Sequence, residues 1–424
     1  AAGPTPAGSP SALARIVWTM SWMRRHVEPP VLLAYATFVL IGGSAGVTGV
    51  LLLAQIRDYG VDRATIGITF FTGSAGFVLA GSTAGALIHR LGIRAALVTG
   101  GTGYVLAGLY TASRPPFGAF VIVQLVAGYA TGLLESVLNA YLAALPNAVT
   151  LLNRLHAFFG VGALLGPVLA TWIVGFAAWT TVWLVLATAC VPLVAGFLVA
   201  YARPRADARA PAAAGQAPEP GSEGLLRTAL RQREVLLGAA FLAVYVGLEL
   251  SVGNWGFSYL VQERGQSELL AGYSVSGYWL GLTLGRFLIS PVATRIGATA
   301  ARLMFTCLAG VTAAAALTWL LPAAAAASTG FVLLGFFLGP IFPTTMAMAS
   351  QLTIARLVPT AIGVMNAGSV VGGSALPWLA GAIAQDAGVW TLLPFAVTLA
   401  LLQLAVWWPI AHRIRTPRPD AAMT

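Results

Sequence analysis

The chain has 424 residues, 58% of them hydrophobic and only 8% charged, with a mean hydropathy of +0.84. Its 23 basic residues, all arginine, outnumber 13 acids and give a formal charge of +10. Soluble domains carry about 25% charged residues, so this set cannot clothe a water-facing surface; a cytosolic enzyme, a disordered chain and a disulfide-stapled secreted scaffold are excluded, and a polytopic all-α membrane protein remains.

A membrane-crossing helix needs about 20 apolar residues to traverse ~30 Å of hydrocarbon. Residues 1–30 read as a cytoplasmic tail. Their apolar stretch runs into Arg24-Arg25-His26 where a cleavage site would need small residues, so it is no cleavable signal; 13–25 could instead lie on the membrane surface as an amphipathic helix. Six predicted spans follow at 31–53, 66–88, 95–112, 118–144, 155–174 and 181–201, forming an N-terminal bundle over 31–201. Residues 202–233 break the pattern. They are rich in Ala, Pro and Gly as far as Gly221, the composition of a flexible linker, with a short basic amphipathic helix expected over 223–233. Six more spans, at 235–260, 271–294, 303–321, 327–352, 359–383 and 390–411, make a C-terminal bundle over 234–411, and 412–424 is a second tail. With both termini placed in the cytoplasm, 18 arginines fall in inside segments and four (Arg57, Arg63, Arg114 and Arg264) outside, leaving Arg286 within a span. That asymmetry is a positive-inside signal for an inner (plasma) membrane protein, and it removes the nucleic-acid reading of the basic excess. Cys190 and Cys307 sit in apolar runs of opposite halves, with no metal-binding spacing.

The halves echo each other. Arg90-Leu91-Gly92 recurs as Arg295-Ile296-Gly297; Gly128 and Gly132 recur as Gly335 and Gly339; Gly162 and Pro167 recur as Gly372 and Pro377. Three matches in order, at offsets of 205, 207 and 210, indicate a duplicated six-helix unit. Parallel repeats of this kind place a substrate site between the halves near the midplane, opened alternately to either side by rocking.

On these features the chain resembles a major facilitator superfamily transporter. Gly85-x-x-x-His89-Arg90-x-Gly92-x-Arg94 stands where that superfamily keeps its signature between spans 2 and 3, with His89 in place of the usual acid; the resemblance makes Arg90 and Arg94 gating or structural charges. Within the superfamily it is similar to the fucose–proton symporter branch, which includes sodium-dependent glucose transporter-like members. The similarity rests on Glu135 with Asn139 in span 4, Tyr245, Gly247, Glu249, Asn254 and Trp255 in span 7, Tyr278, Trp279, Gly281, Gly285 and Arg286 in span 8, and Gly335-Phe336-Phe337 with Phe342-Pro343-Thr344 in span 10. It implies a 6+6 fold that works as a monomer and couples a sugar-like solute to protons, with sodium the other candidate ion.

Eleven of the 13 acids fall in loops or tails; Glu135 and Glu249 fall within spans. A charged side chain at mid-bilayer costs roughly 2.5–3.5 kcal/mol on insertion scales, and residues this costly mark relays, ion paths or ligand contacts. Gln124, Gly128, Thr131, Glu135 and Asn139 are spaced 4, 3, 4 and 4, one helical face. That face reads as a polar stripe on a central cavity, from which Glu135 can exchange a proton and Asn139 and Gln124 can meet hydroxyls. In span 7, Tyr245 and Glu249 share a face, and Gly247, Gly253 and Gly256 mark a place where the helix can bend or unwind and turn Asn254 and Trp255 to the cavity. Tyr278 and Asn366 complete the candidate substrate contacts. The alternative role for Glu249 is a structural ion pair with Arg286, which is otherwise a gate or a snorkelling residue. His156, two residues after Arg154, reads as interfacial. No phosphate loop, metal motif or nucleophile triad is present, so neither enzyme chemistry nor a cofactor is expected. The leading expectation is a proton-coupled importer of a monosaccharide-like solute; an exporter or flippase of amphipathic compounds and a non-transporting sensor are the rivals.

Overall fold

A computed structural model describes residues 28–201 and 222–415. The surface helix expected over 13–25, the linker as far as residue 221 and the tail beyond 415 lie outside the described residues. Within them the chain is helical, and no strand occurs. The N-terminal half comprises α1 (Pro29–Tyr59), α2 (Arg63–Ile66), α3 (Ile68–Ala112), α4 (Phe117–Ala143), α5 (Ala148–Val174) and α6 (Thr180–Ala200). The C-terminal half comprises α7 (Ser222–Arg231), α8 (Arg233–Gln262), α9 (Glu268–Arg295), α10 (Ala300–Leu320), α11 (Ala324–Leu338), α12 (Ile341–Ala347), α13 (Ala349–Leu352), α14 (Val358–Ala387) and α15 (Leu392–Arg415).

Ten helical stretches among the described residues are long and apolar enough to cross a membrane. One of them, Arg63–Ala112, is 50 residues long and holds predicted spans 2 and 3. The expected loop at 89–94 shrinks to a single non-helical residue, Gly92, at φ 82° and ψ 163°. Only glycine adopts that backbone cheaply. Its repeat partner Gly297 also has positive φ, at 67°, so the recurring Arg-x-Gly is a repeated sharp turn. The predicted eighth span forms α9, which has 28 residues and carries both charged ends, Glu268 and Arg295. Predicted span 10 is divided into α11, α12 and α13; the first division falls at Gly339 and Pro340, where Pro340 and Pro343 supply no N–H to continue the ladder.

The other repeats are close-packing points. A side chain at Gly128 would strike the backbone of Gly73, joining α4 to α3; one at Gly335 would strike Tyr278, joining α11 to α9. Gly162 meets Val39 and Gly372 meets Ala243 in the same way, joining α5 to α1 and α14 to α8. Spans 4 and 2, and 5 and 1, therefore pair as 10 and 8, and 11 and 7, do. Small residues allow this approach, which in lipid replaces the hydrophobic drive of a soluble core. Large apolar side chains face outward, among them Ile122, Val199 and Trp408, at 67%, 87% and 70% exposure.

The expected unwinding of span 7 does not occur. α8 is one uninterrupted helix of 30 residues. Its glycines serve packing instead: Gly247 lies on Leu376, Gly253 on Trp279 and Gly256 on Phe331.

Candidate functional site

The bundle has two ends. Residues 28, 201, 222 and 415 and the turns at Gly92 and Gly297 lie at one, here the terminal end; the turns after Tyr59, Val174, Gln262 and Ala387 lie at the other, the far end. The two halves are tied together at the far end. The Arg63 side chain donates to Gln262 Oε1 at 2.9 Å, and its backbone N–H donates to Gln385 Oε1 at 3.0 Å. The indole of Trp378 donates to the Ala64 carbonyl at 3.1 Å, and its ring meets Phe71 edge-on. Arg57 approaches Glu268 at 3.9 Å. Deeper in, Phe70 packs edge-on against Trp255, Gly49 lies on Gly253 and Asn254, and Gly160 lies on Thr283.

The other two outer arginines brace single halves. Arg114 holds Asp58 in a two-pronged pair at 2.7 and 2.9 Å, and Trp179 donates to the same carboxylate. Arg264 reaches Tyr259 and the carbonyls of Thr318, Trp319 and Leu321, which end α10. Arg114 lies outside the spans, and the adjacent Asp58 carboxylate raises its already high pKa. All four arginines that the sequence assigns to one side of the membrane thus converge on the far end. Their charge pattern was legible; that two of them bridge the halves was not, since Gln262 and Gln385 carry no distinguishing signal in the sequence.

Towards the terminal end the α4 stripe is partly open. Gln124, Gly128, Thr131, Glu135 and Asn139 are all half-buried, while Leu133, Leu134, Val137 and Leu138 beside them are buried. Gly128 is taken up by its contact with α3, so the polar members are Gln124, Thr131, Glu135 and Asn139. The Asn139 amide donates to the Glu135 backbone carbonyl at 2.9 Å, one turn back. Among the described residues, none forms an ion pair or hydrogen bond with the Glu135 carboxylate.

Glu249 is differently placed. Arg286 lies 3.7 Å from its carboxylate, the ion pair that was the structural alternative for it, and the buried Tyr245 hydroxyl is near both charges without a hydrogen bond among the described residues. Tyr278 donates to the Glu249 backbone carbonyl at 2.9 Å, clamping α9 to α8. Tyr245 and Tyr278 are fully buried. Trp255 is 2% exposed; its N–H donates to the Pro377 carbonyl at 2.8 Å and its ring covers Gly381. In this conformation it joins α8 to α14, with no face offered to a ligand. Asn254 is buried. Asn366 is exposed, on the same half but apart from the Glu249 cluster in sequence, and its carbonyl accepts from Ser369. His156, expected at an interface, is exposed and stands within electrostatic reach of Arg286 on the other half. Arg90 is exposed and Arg94 half-buried beside the Gly92 turn.

The sequence model of the Major Facilitator Superfamily matches residues 33–353 and, in a second match, 250–423. Bypass of stop codon protein 6 of Saccharomyces cerevisiae is 24% identical over 396 residues, covering 86% of this chain and 78% of the relative. The glucose/mannose transporter GlcP of Bacillus subtilis is 24% identical over 302 residues, covering 70% and 74%. Among solved structures, the nucleoside transporter NupG, crystallised as a point mutant, superposes with a TM-score of 0.73 at 14% identity, covering 91% of this chain and 100% of that one.

Proposed function

From the premise that this chain belongs to the Major Facilitator Superfamily, and so is a multi-pass membrane transporter and no enzyme, we propose that it imports a small polyhydroxylated, monosaccharide-like solute by proton-coupled alternating access. The half-open polar stripe of α4, with an unpaired carboxylate at Glu135, is the observation that carries this reading. An unpaired acid at bilayer depth is stable as the neutral form and useful as a proton carrier. Glu135 takes its proton from one side of the membrane and yields it to the other. Gln124, Asn139 and Asn366 meet solute hydroxyls.

The contacts between halves at the far end support an inward-facing arrangement, in which that end is external and both termini are in the cytoplasm. Opening outward breaks the bonds of Arg63 and Trp378 and parts Phe70 from Trp255 and Gly49 from Asn254, which uncovers the faces of Trp255 and Asn254 that the N-terminal half now covers; Tyr278, clamped to α8 within its own half, contributes through Glu249. Arg90 and Arg94 act at the cytoplasmic turn. GlcP, by its name a glucose and mannose transporter, supports the cargo class; the motif resemblance to the fucose–proton branch supports the ion. The protein works as a monomer in the inner membrane.

Purified protein in liposomes tests this directly. With an acidic exterior and neutral lumen, radiolabelled glucose should accumulate above its external concentration, and a protonophore should abolish the accumulation. Accumulation driven by a sodium gradient at uniform pH would contradict proton coupling.

A further inference from the structure

Arg286 is placed by packing to face the opposite bundle. Thr283, one turn before it on α9, touches Gly160 of α5, and residues three apart share a helix face. On α5, His156 lies one turn from Gly160 in the same direction, toward the terminal end. The two helices run in opposite senses there, so Arg286 and His156 lie on facing sides of the two halves, one turn toward the terminal end from the Gly160–Thr283 contact. Both reach open space: His156 is exposed, and the Arg286 side chain is 31% exposed.

Arg286 is also incompletely used. A guanidinium offers five N–H donors in a fixed fork. Its ion pair with Glu249 is made through one nitrogen at 3.7 Å, beyond the 2.7–2.9 Å of a charge-assisted hydrogen bond. Its Nε is buried with no hydrogen-bond partner among the described residues. A purely structural pair would be expected to close to a forked contact. Here one nitrogen of the fork approaches Glu249, the Tyr245 hydroxyl lies nearby, and the buried Nε makes no hydrogen bond among the described residues.

We propose that the cargo carries a carboxylate, and that Arg286 of the C-terminal half and His156 of the N-terminal half receive it together. The solute class is then a polyhydroxylated acid, with the hydroxyls met by the α4 stripe. Because one ligand group bridges both halves at the edge of their contact, its arrival draws the terminal ends together, the movement alternating access requires. This rests on the transport reading given above and narrows its cargo.

Proteoliposome uptake and thermal-shift binding with the full chain decide it, using gluconate as the acid and glucose as its neutral counterpart. Gluconate should bind and be taken up at least about tenfold more effectively than glucose, the scale of one charge-assisted contact. His156→Gln, at an exposed position, should weaken gluconate relative to glucose severalfold while leaving the protein folded. The paired variant Arg286→Gln with Glu249→Gln, which leaves no lone charge behind, should erase gluconate binding in the thermal-shift measurement. Glucose transport with no gluconate binding or competition would overturn the inference and leave the transport reading standing. Movement of neither solute would overturn both. Gluconate binding unaffected by His156→Gln and by the paired variant would also overturn it.

Discussion

Glu135 and Glu249 are chemically alike and positioned alike in sequence, yet their surroundings give them different parts. Glu135 has no partner among the described residues, whereas Glu249 sits beside Arg286 and Tyr245. Removing one member of a buried pair strands the other's charge, at a cost of about 3 kcal/mol. Glu249→Gln should therefore lower thermal stability clearly, and the paired variant with Arg286→Gln should recover most of the loss; equal stability of the single and paired variants would deny the pair its structural weight. The stripe around Glu135 was legible because polar residues at helical spacing leave a periodic trace. The direction of Trp255 was not, since its N–H is satisfied by Pro377, 122 residues away, and nothing local announces that partner. His156 was underread for the same reason: its significance comes from a residue on the other half.

At the scale of helices, the repeats in the sequence turned out to mark geometry. Gly92 and Gly297 turn the chain, and Gly128, Gly335, Gly162 and Gly372 bring backbones together. At Gly92 the backbone angles suit glycine alone, so Gly92→Ala should destabilise the N-terminal half by about 1–3 kcal/mol, read as a lowered melting temperature. Gly335→Val should be worse, because the new methyls meet the α9 backbone with no side chain able to yield; loss of monodisperse protein in size-exclusion chromatography checks it. Twelve apolar runs were readable from composition and length. The break between spans 2 and 3 was legible too, although it is a one-residue turn at Gly92 and not a loop over 89–94; the role of the α8 glycines was not, since they serve helix contact as well as they would serve a bend. Distinguishing the two uses needs the neighbouring helix, which for Gly247 is Leu376.

The whole molecule is two similar bundles joined mainly at one end. Arg63 and Trp378 supply hydrogen bonds across that junction, each worth about 1 kcal/mol net. Arg63→Ala should shift the balance toward opening of the far end by several-fold, without altering the fold. Maleimide labelling of a cysteine placed at Thr171, which is buried against Gly272 where the halves touch, should quicken in that background; unchanged labelling would show that the bond does not hold the closed end. The chain's duplication and membrane class could be read from sequence, whereas the closed end could not, because one sequence must serve every state of the cycle. Coupled transport turns on Glu135 as the proton carrier. Its most direct measurement compares two assays on Glu135→Gln protein in liposomes: uptake driven by an imposed proton gradient, and counterflow exchange of the same solute with no gradient. Counterflow should persist while gradient-driven accumulation disappears; accumulation equal to that of the unmodified protein would show that Glu135 does not carry the proton.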